Sequence, residues 1–144
     1  MKSDGFVEVL ILPAKLSGSA EVLTVRNHVG RGVFSLQSVD GRGLRESERM
    51  LFLHLTDSQA TLLKFDNPLV QQYSSWGKPP HLAARGEAEI TLALPDGRYR
   101  LYSCDTSGRR LAEVPLKCSN GNVSFEAKVF RPEGCVFVYE LVRK

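Results

Sequence analysis

Residues 87–129, EAEITLALPDGRYRLYSCDTSGRRLAEVPLKCSNGNVSFEAKV, decide the fold class. They alternate apolar and polar side chains between three two-residue turn signals, Asp96-Gly97, Ser107-Gly108 and Asn120-Gly121. Counting outward from each turn gives the strand partners. Asp96-Gly97 sets Leu94 opposite Tyr99, Leu92 opposite Leu101 and Ile90 opposite Ser103. Ser107-Gly108 sets Tyr99 opposite Leu116, Leu101 opposite Val114, Ser103 opposite Ala112 and Cys104 opposite Leu111. Asn120-Gly121 sets Cys118 opposite Val123, Leu116 opposite Phe125 and Val114 opposite Ala127. The three turns agree on one apolar face, and a slip of one residue at any of them would turn a strand's apolar side to water. The pattern predicts a four-stranded antiparallel meander over 87–129.

The flanking sequence extends the same grammar. Phe6 to Leu12 suits a first strand ended by Pro13, Lys15 to Ala20 a loop, and Ala20 to Arg26 a second strand. Asn27 to Gly32 is a turn holding His28, and Gly32 to Val39 a third strand with Phe34 and Leu36 toward the core. Asp40-Gly41 ends that strand. Leu44 to Ser47 is irregular or helical and leads into a strand to about Thr56, in which Met50 to Leu55 fits burial on both faces. Ala60 to Phe65 is a short strand. Asp66 to Arg85 is rich in Pro, Ser and Gly and reads as a long loop. Cys135 to Val142 is a last strand, central and apolar on both sides. The expectation is a single all-β domain over 1–144, an antiparallel sandwich of about nine or ten strands, with an N-terminal strand and loop over 1–19 and a long loop over 66–86.

A length of 144 residues supports one core and is too short for a barrel of eight strands and eight helices, which takes about 250. A net charge of +3 without a basic stripe or an interleaved aromatic pattern argues against nucleic-acid binding. No run of about 18 apolar residues and no signal-peptide pattern occurs, so the chain as given is expected neither to cross a membrane nor to leave its compartment. Met1-Lys2 is equally compatible with a natural start and with a cut made for expression. Cys104, Cys118 and Cys135 make an odd set, read as buried free thiols. There is no CxxC, and His28, His54 and His81 lie far apart, so no metal or other cofactor is expected.

Chemistry is hard to find. No GxSxG elbow or phosphate-binding glycine loop is present, and Gly30-Arg31-Gly32 and Gly41-Arg42-Gly43 read as turns. Glu46 with Glu48, and Glu87 with Glu89, are carboxylate pairs of the spacing that any solvated strand provides. No catalytic residue is assigned. Trp76 with Tyr73 is the one site-like feature: exposed aromatic faces stack on sugar rings and on other flat partners. Anchoring of the long loop by a buried Trp76 is preferred over ligand stacking.

Phe34-Ser35-Leu36-Gln37-Ser38-Val39-Asp40-Gly41, followed by Leu44 and Ser47-Glu48-Arg49-Met50-Leu51, resembles the strand, Asp-Gly turn and Ser-x-x-x-Leu strand of C-terminal β-sandwich domains in bacterial TIM-barrel glycoside hydrolases. Trp76-Gly77-Lys78-Pro79-Pro80 resembles the W-G-x-x-P approach of those domains, and Arg98 to Pro115 their late hairpin. Val39 stands where these domains often have Leu. The resemblance spans about residues 20–142. It implies a non-catalytic accessory module that packs against a catalytic barrel absent from this chain, with presentation of polysaccharide as a further implied role and a secreted or cell-envelope parent as one setting. An apolar face would then be left uncovered here. Two other readings stay open: a carbohydrate-binding module using Trp76 and Tyr73, and a free-standing interaction domain.

Overall fold

The computed structural model describes residues 2, 3, 5–67, 69 and 72–144. Met1, Asp4 and three residues of the expected long loop, Pro68, Val70 and Gln71, lie outside the described residues. The strands in order are β1 (Lys2–Ser3), β2 (Val7–Leu12), β3 (Ser17–Ser19), β4 (Leu23–Val29), β5 (Gly32–Ser38), β6 (Arg49–Leu55), β7 (Ser58–Phe65) and β8 (Tyr73–Ala83). There follow β9 (Glu87–Ala93), β10 (Tyr99–Cys104), β11 (Arg110–Val114), β12 (Lys117–Ser119), β13 (Asn122–Lys128), β14 (Phe130–Arg131), β15 (Gly134–Cys135) and β16 (Val138–Arg143). The fold is all-β and antiparallel, consistent with the expected sandwich. One sheet has seven strands in the order β1-β2-β5-β6-β16-β10-β11, and a second has five in the order β12-β13-β9-β4-β3. The hairpins β7-β8 and β14-β15 each pair only internally.

The apolar inner faces of the two larger sheets meet in one core. Phe52 and Tyr139 from the seven-stranded sheet contact Phe125 from the five-stranded sheet, the Phe52 and Phe125 rings edge to face at 5.4 Å. Each large side chain buried in this way contributes roughly 1.5–3 kcal/mol. Two polar groups cross the same interior. The Tyr139 hydroxyl donates to the Lys128 carbonyl at 2.8 Å and accepts the Lys128 N–H at 2.9 Å, completing the backbone at the end of β13. The Glu8 carboxylate, on the inner face of β2, accepts the N–H groups of Val22 and Leu23 at 2.7–3.0 Å and fixes the entry to β4. Both groups are buried, and each offsets its desolvation with these bonds.

The predicted meander is broken in two places. The Ser107-Gly108 hairpin forms with Leu101 opposite Val114 and Ser103 opposite Ala112, although a bulge puts Arg110, not Leu111, opposite Cys104. The Asn120-Gly121 hairpin forms with Cys118 opposite Val123. The Asp96-Gly97 hairpin does not form: β9 pairs with β13 and β4, while β10 pairs with β11 and β16. Likewise, β11 does not continue into β13 pairing. Both departures fall at a proline, Pro95 after Leu94 and Pro115 after Val114. Proline has no N–H to give a ladder, so the chain leaves one sheet there and enters the other. Asp96 then caps a different turn, accepting the Gly121 N–H at 3.0 Å, and the Tyr99 hydroxyl donates to the Pro95 carbonyl at 2.8 Å. The residues expected on one apolar face, from Ile90 to Ala127, are largely buried, but they face each other from two sheets rather than lining one.

Other expectations need local correction. The Lys15 to Ala20 loop contains β3, which covers the edge of β4. Residues 73–83 form the longest strand in place of a loop. Its prolines are accommodated because the register slips between Ala60 opposite His81 and Thr61 opposite Lys78, which leaves Pro79 and Pro80 outside the ladder. Cys104 is a buried free thiol, but Cys118 and Cys135 are exposed, since each lies in or beside a short edge hairpin with little packed over it. β16 does lie centrally, between β6 and β10.

His54 is fully buried on the inner face of β6, its ring stacked on Phe34 at 4.6 Å, with no hydrogen-bond partner for either nitrogen among the described residues. Gly86 closes over it: a Cβ there would lie 2.8 Å from Nε2. Burial pushes the imidazole pKa from 6.5 down to about 4. The stability that this neutral ring contributes is complete above pH 6.5, falls as the pH drops toward 4 and levels off below. Denaturant titrations from pH 7 to 4 should show a loss on the order of 3 kcal/mol that is missing from His54→Leu. An equal loss in the variant would contradict this assignment.

Candidate functional site

The outer faces of the two main sheets differ in chemistry. Pairing across the five-stranded sheet aligns Ser19, Thr24, Thr91, Ser124 and Lys117 in one outward row. The next row carries Ser17, Arg26, Glu89 and Glu126. These hydroxyl and charged groups suit water. Of the carboxylates weighed in the sequence, Glu89 lies in this polar row opposite Glu126, Glu87 pairs with Arg85 at 2.6 Å, and Glu48 with Arg42 at 2.7 Å.

The seven-stranded sheet presents something else. Leu10, Phe34, Phe52, Tyr139 and Leu141 point inward, so the alternate residues point outward. Register then aligns Val9, Ser35, Leu53, Val138 and Cys104 in one outward row, and Ile11, Val33 and Leu55 in the next. Ile11 is 60% exposed and Leu55 41% exposed, while Val9, Val33, Leu53 and Val138 are half-buried by one another. A sheet that packs on one side and meets water on the other alternates apolar and polar residues. Here β2, β5, β6 and β16 carry apolar residues on both sides at this end of the sheet, and on the outer one Ile11 and Leu55 are exposed.

That face is bounded by charge. Glu140 on β16 also points outward but is 3% exposed, because Arg49 and Arg110 close over it with ion pairs of 2.5 Å each. The Arg110 guanidinium, seconded by Arg49, holds the Glu140 carboxyl below the ordinary carboxylate range against the opposing effect of burial. Arg110 also lies over the Tyr102 ring at 4.3 Å. The outer surface therefore has an apolar field at the β2-β5-β6 end and a cationic border at the β10-β11 end.

The second exposed feature is the β7-β8 arm. Trp76 is 77% exposed and Tyr73 46% exposed, so the expected anchoring of a loop by a buried indole is overturned. The reason lies in the register. Phe65 opposes Tyr73 and Lys64 opposes Ser75, so Ser74 is an extra residue, and this bulge brings Tyr73 and Trp76, three apart in sequence, to the same side. Their rings stack at 4.6 Å and 21°, and Phe65 continues the ladder at 4.9 Å from Tyr73. Gly77, with φ +72°, lets the strands approach: a Cβ there would sit 2.6 Å from the Thr61 carbonyl oxygen.

A third feature is an open cleft of about 770 Å³ between the ends of β11 and β13, lined by Val114, Leu116, Phe125 and Phe130 with His28 and Lys128 at its rim. It occupies the space left where the predicted β11–β13 pairing fails. No group of three or more His, Cys, Asp or Glu side chains that could hold a metal ion is gathered among the described residues.

The Glu140 cluster yields an asymmetric prediction. Glu140→Leu leaves two arginines that water can solvate and should cost about 1 kcal/mol in denaturant melts, whereas Arg49→Met with Arg110→Met keeps the carboxylate covered but uncompensated and should cost about 3 kcal/mol or more. Equal costs would show that the carboxylate is solvated. Comparisons with models of known protein families, with curated proteins and with solved structures find no match for this chain.

Proposed function

We propose that this chain is a non-catalytic accessory domain that packs the outer face of its seven-stranded sheet against the catalytic barrel of a glycoside hydrolase. The single observation that carries the docking reading is the outward apolar field of Val9, Ile11, Val33, Leu53, Leu55 and Val138, in which Ile11 and Leu55 are exposed. Contiguous apolar patches of this kind are uncommon on the free surface of a protein and mark interaction sites. The identity of the partner rests on the sequence resemblance described above, which spans β4 to β16 and includes the Trp76-Gly77-Lys78-Pro79-Pro80 stretch. The charged border of Arg49, Arg100 and Arg110 would form the polar rim around an apolar centre. No step of catalysis is assigned to any residue here. The domain's contribution to its parent is mechanical: it buries the apolar flank that it shares with the barrel and stiffens it.

A free-standing interaction domain would use the same face on a separate protein, and one experiment distinguishes the two. The barrel encoded in the same reading frame, produced separately, should form a one-to-one complex with this chain in sedimentation velocity. Leu53→Lys with Leu55→Lys should weaken that complex at least about tenfold, since each buried apolar side chain is worth more than 1.4 kcal/mol. The isolated double variant should melt within a few degrees of the parent domain, because neither side chain is in the core. Absence of a barrel from the reading frame, or undiminished binding by the variant, would overturn the proposal.

A further inference from the structure

Building on the docking reading, we infer that Arg49 and Arg110, held together on buried Glu140, form a guanidinium clamp for acidic side chains of the docked protein. Glu140 lies one outward row, about 7 Å, beyond Val138 and Leu53, so a body that covers the apolar field reaches the cluster. Its Oε1 accepts the Nε–H of Arg49 and its Oε2 that of Arg110, each at 2.5 Å. One carboxylate thus fixes two guanidinium groups, from β6 on one side of β16 and from β11, beyond β10, on the other. The Tyr102 ring beside the Arg110 guanidinium holds that group a second time.

Glu140 takes one N–H from each arginine, and the remaining N–H donors of both find no acceptor among the described residues. Side-chain exposures of 62% and 49% leave those donors to water. Docking over this end of the sheet removes that water, and a guanidinium covered without an acceptor is costly. The acceptors then come from the partner, and charge decides their kind. Arg49, Arg100 and Arg110 stand against Glu140 and Glu113, while Arg42 and Glu48 cancel each other. Glu140 is sealed beneath the guanidinium groups, so the border shows excess positive charge outward, and the apolar field beside it supplies no counter-ion. A carboxylate matches the planar fork of a guanidinium with paired hydrogen bonds and cancels that excess. A phosphate matches the fork as well, but a nucleic acid brings no apolar surface for Ile11 and Leu55. Both guanidinium groups are held in advance, so little side-chain freedom is lost when the acid arrives.

Removing the arginines alone leaves Glu140 covered and uncompensated, so the informative variant is Arg49→Met with Glu140→Leu and Arg110→Met, which deletes the cluster without stranding a charge. Stopped-flow mixing with the barrel encoded in the same reading frame should show a complex about tenfold weaker, with slower association and a flatter dependence on salt between about 0.02 and 0.2 M NaCl. Arg49→Lys with Arg110→Lys keeps the charge and loses the fork, so it should associate at the parent rate and dissociate several-fold faster. Circular dichroism of both variants should match the parent domain. Leu53→Lys with Leu55→Lys separates the two readings. If that variant weakens the complex while the triple variant, or the lysine pair, keeps both parent rates, the clamp is overturned and the docking reading stands. If the reading frame encodes no barrel, or the leucine variant binds undiminished, the docking reading is overturned and the clamp with it.

Discussion

A strand that carries apolar residues on both sides has two faces to remove from water, and the central strands of the larger sheet are of this kind over part of their length. One face of β5, β6 and β16 is covered by the five-stranded sheet through Phe52, Phe125 and Tyr139. The other carries Val33, Leu53, Leu55 and Val138, with Val9 and Ile11 added from β2, and is open. The rest of the molecule conforms to that imbalance. The five-stranded sheet, covered once, has a hydroxyl-rich and charged outer face. Where the larger sheet turns polar, it does so abruptly, in the Arg49-Glu140-Arg110 cluster, in which a carboxylate is sealed by two cations rather than left to solvent. The same contrast separates the inward residues, which hold the fold, from the outward apolar ones, on which the docking proposal rests.

Much of this was legible in the sequence, and the limits have physical causes. Most of the apolar positions from Ile90 to Ala127 are buried as expected, because alternation survives whatever the pairing, but they line two sheets and not the single face of a meander. Strand neighbours were another matter. A turn signal such as Asp96-Gly97 states that the chain reverses, but not whether the two arms share a sheet or face each other across a core. Pro95 and Pro115 held that information: each removes a ladder donor where the predicted meander would need one, and each marks a crossing between sheets. The tie between Tyr139 and Lys128, and that between Glu8 and the start of β4, join residues from different sheets that no local pattern relates.

The functional surfaces divide in the same way. Met50 to Leu55 and the last strand were recognisable as apolar on both sides, which foreshadows the open face, whereas Val9, Ile11 and Val33 join it only through cross-strand register. Trp76 and Tyr73 were visible as aromatics, but their proline-rich surroundings suggested a loop with a buried indole. A register slip that leaves Pro79 and Pro80 out of the ladder makes a strand of that segment, and the Ser74 bulge turns its rings outward together. Both are effects of pairing, absent from composition.

The central claim is that the outer face of the seven-stranded sheet is an interface in a longer protein. Hydroxyl-radical footprinting of the isolated domain and of that longer protein tests it most directly, because it reads side-chain accessibility residue by residue. Oxidation of Ile11, Leu53 and Leu55 should fall several-fold in the longer protein, while that of Leu16, exposed beside the five-stranded sheet, stays constant. Equal oxidation of Ile11, Leu53 and Leu55 in the two forms would contradict the account.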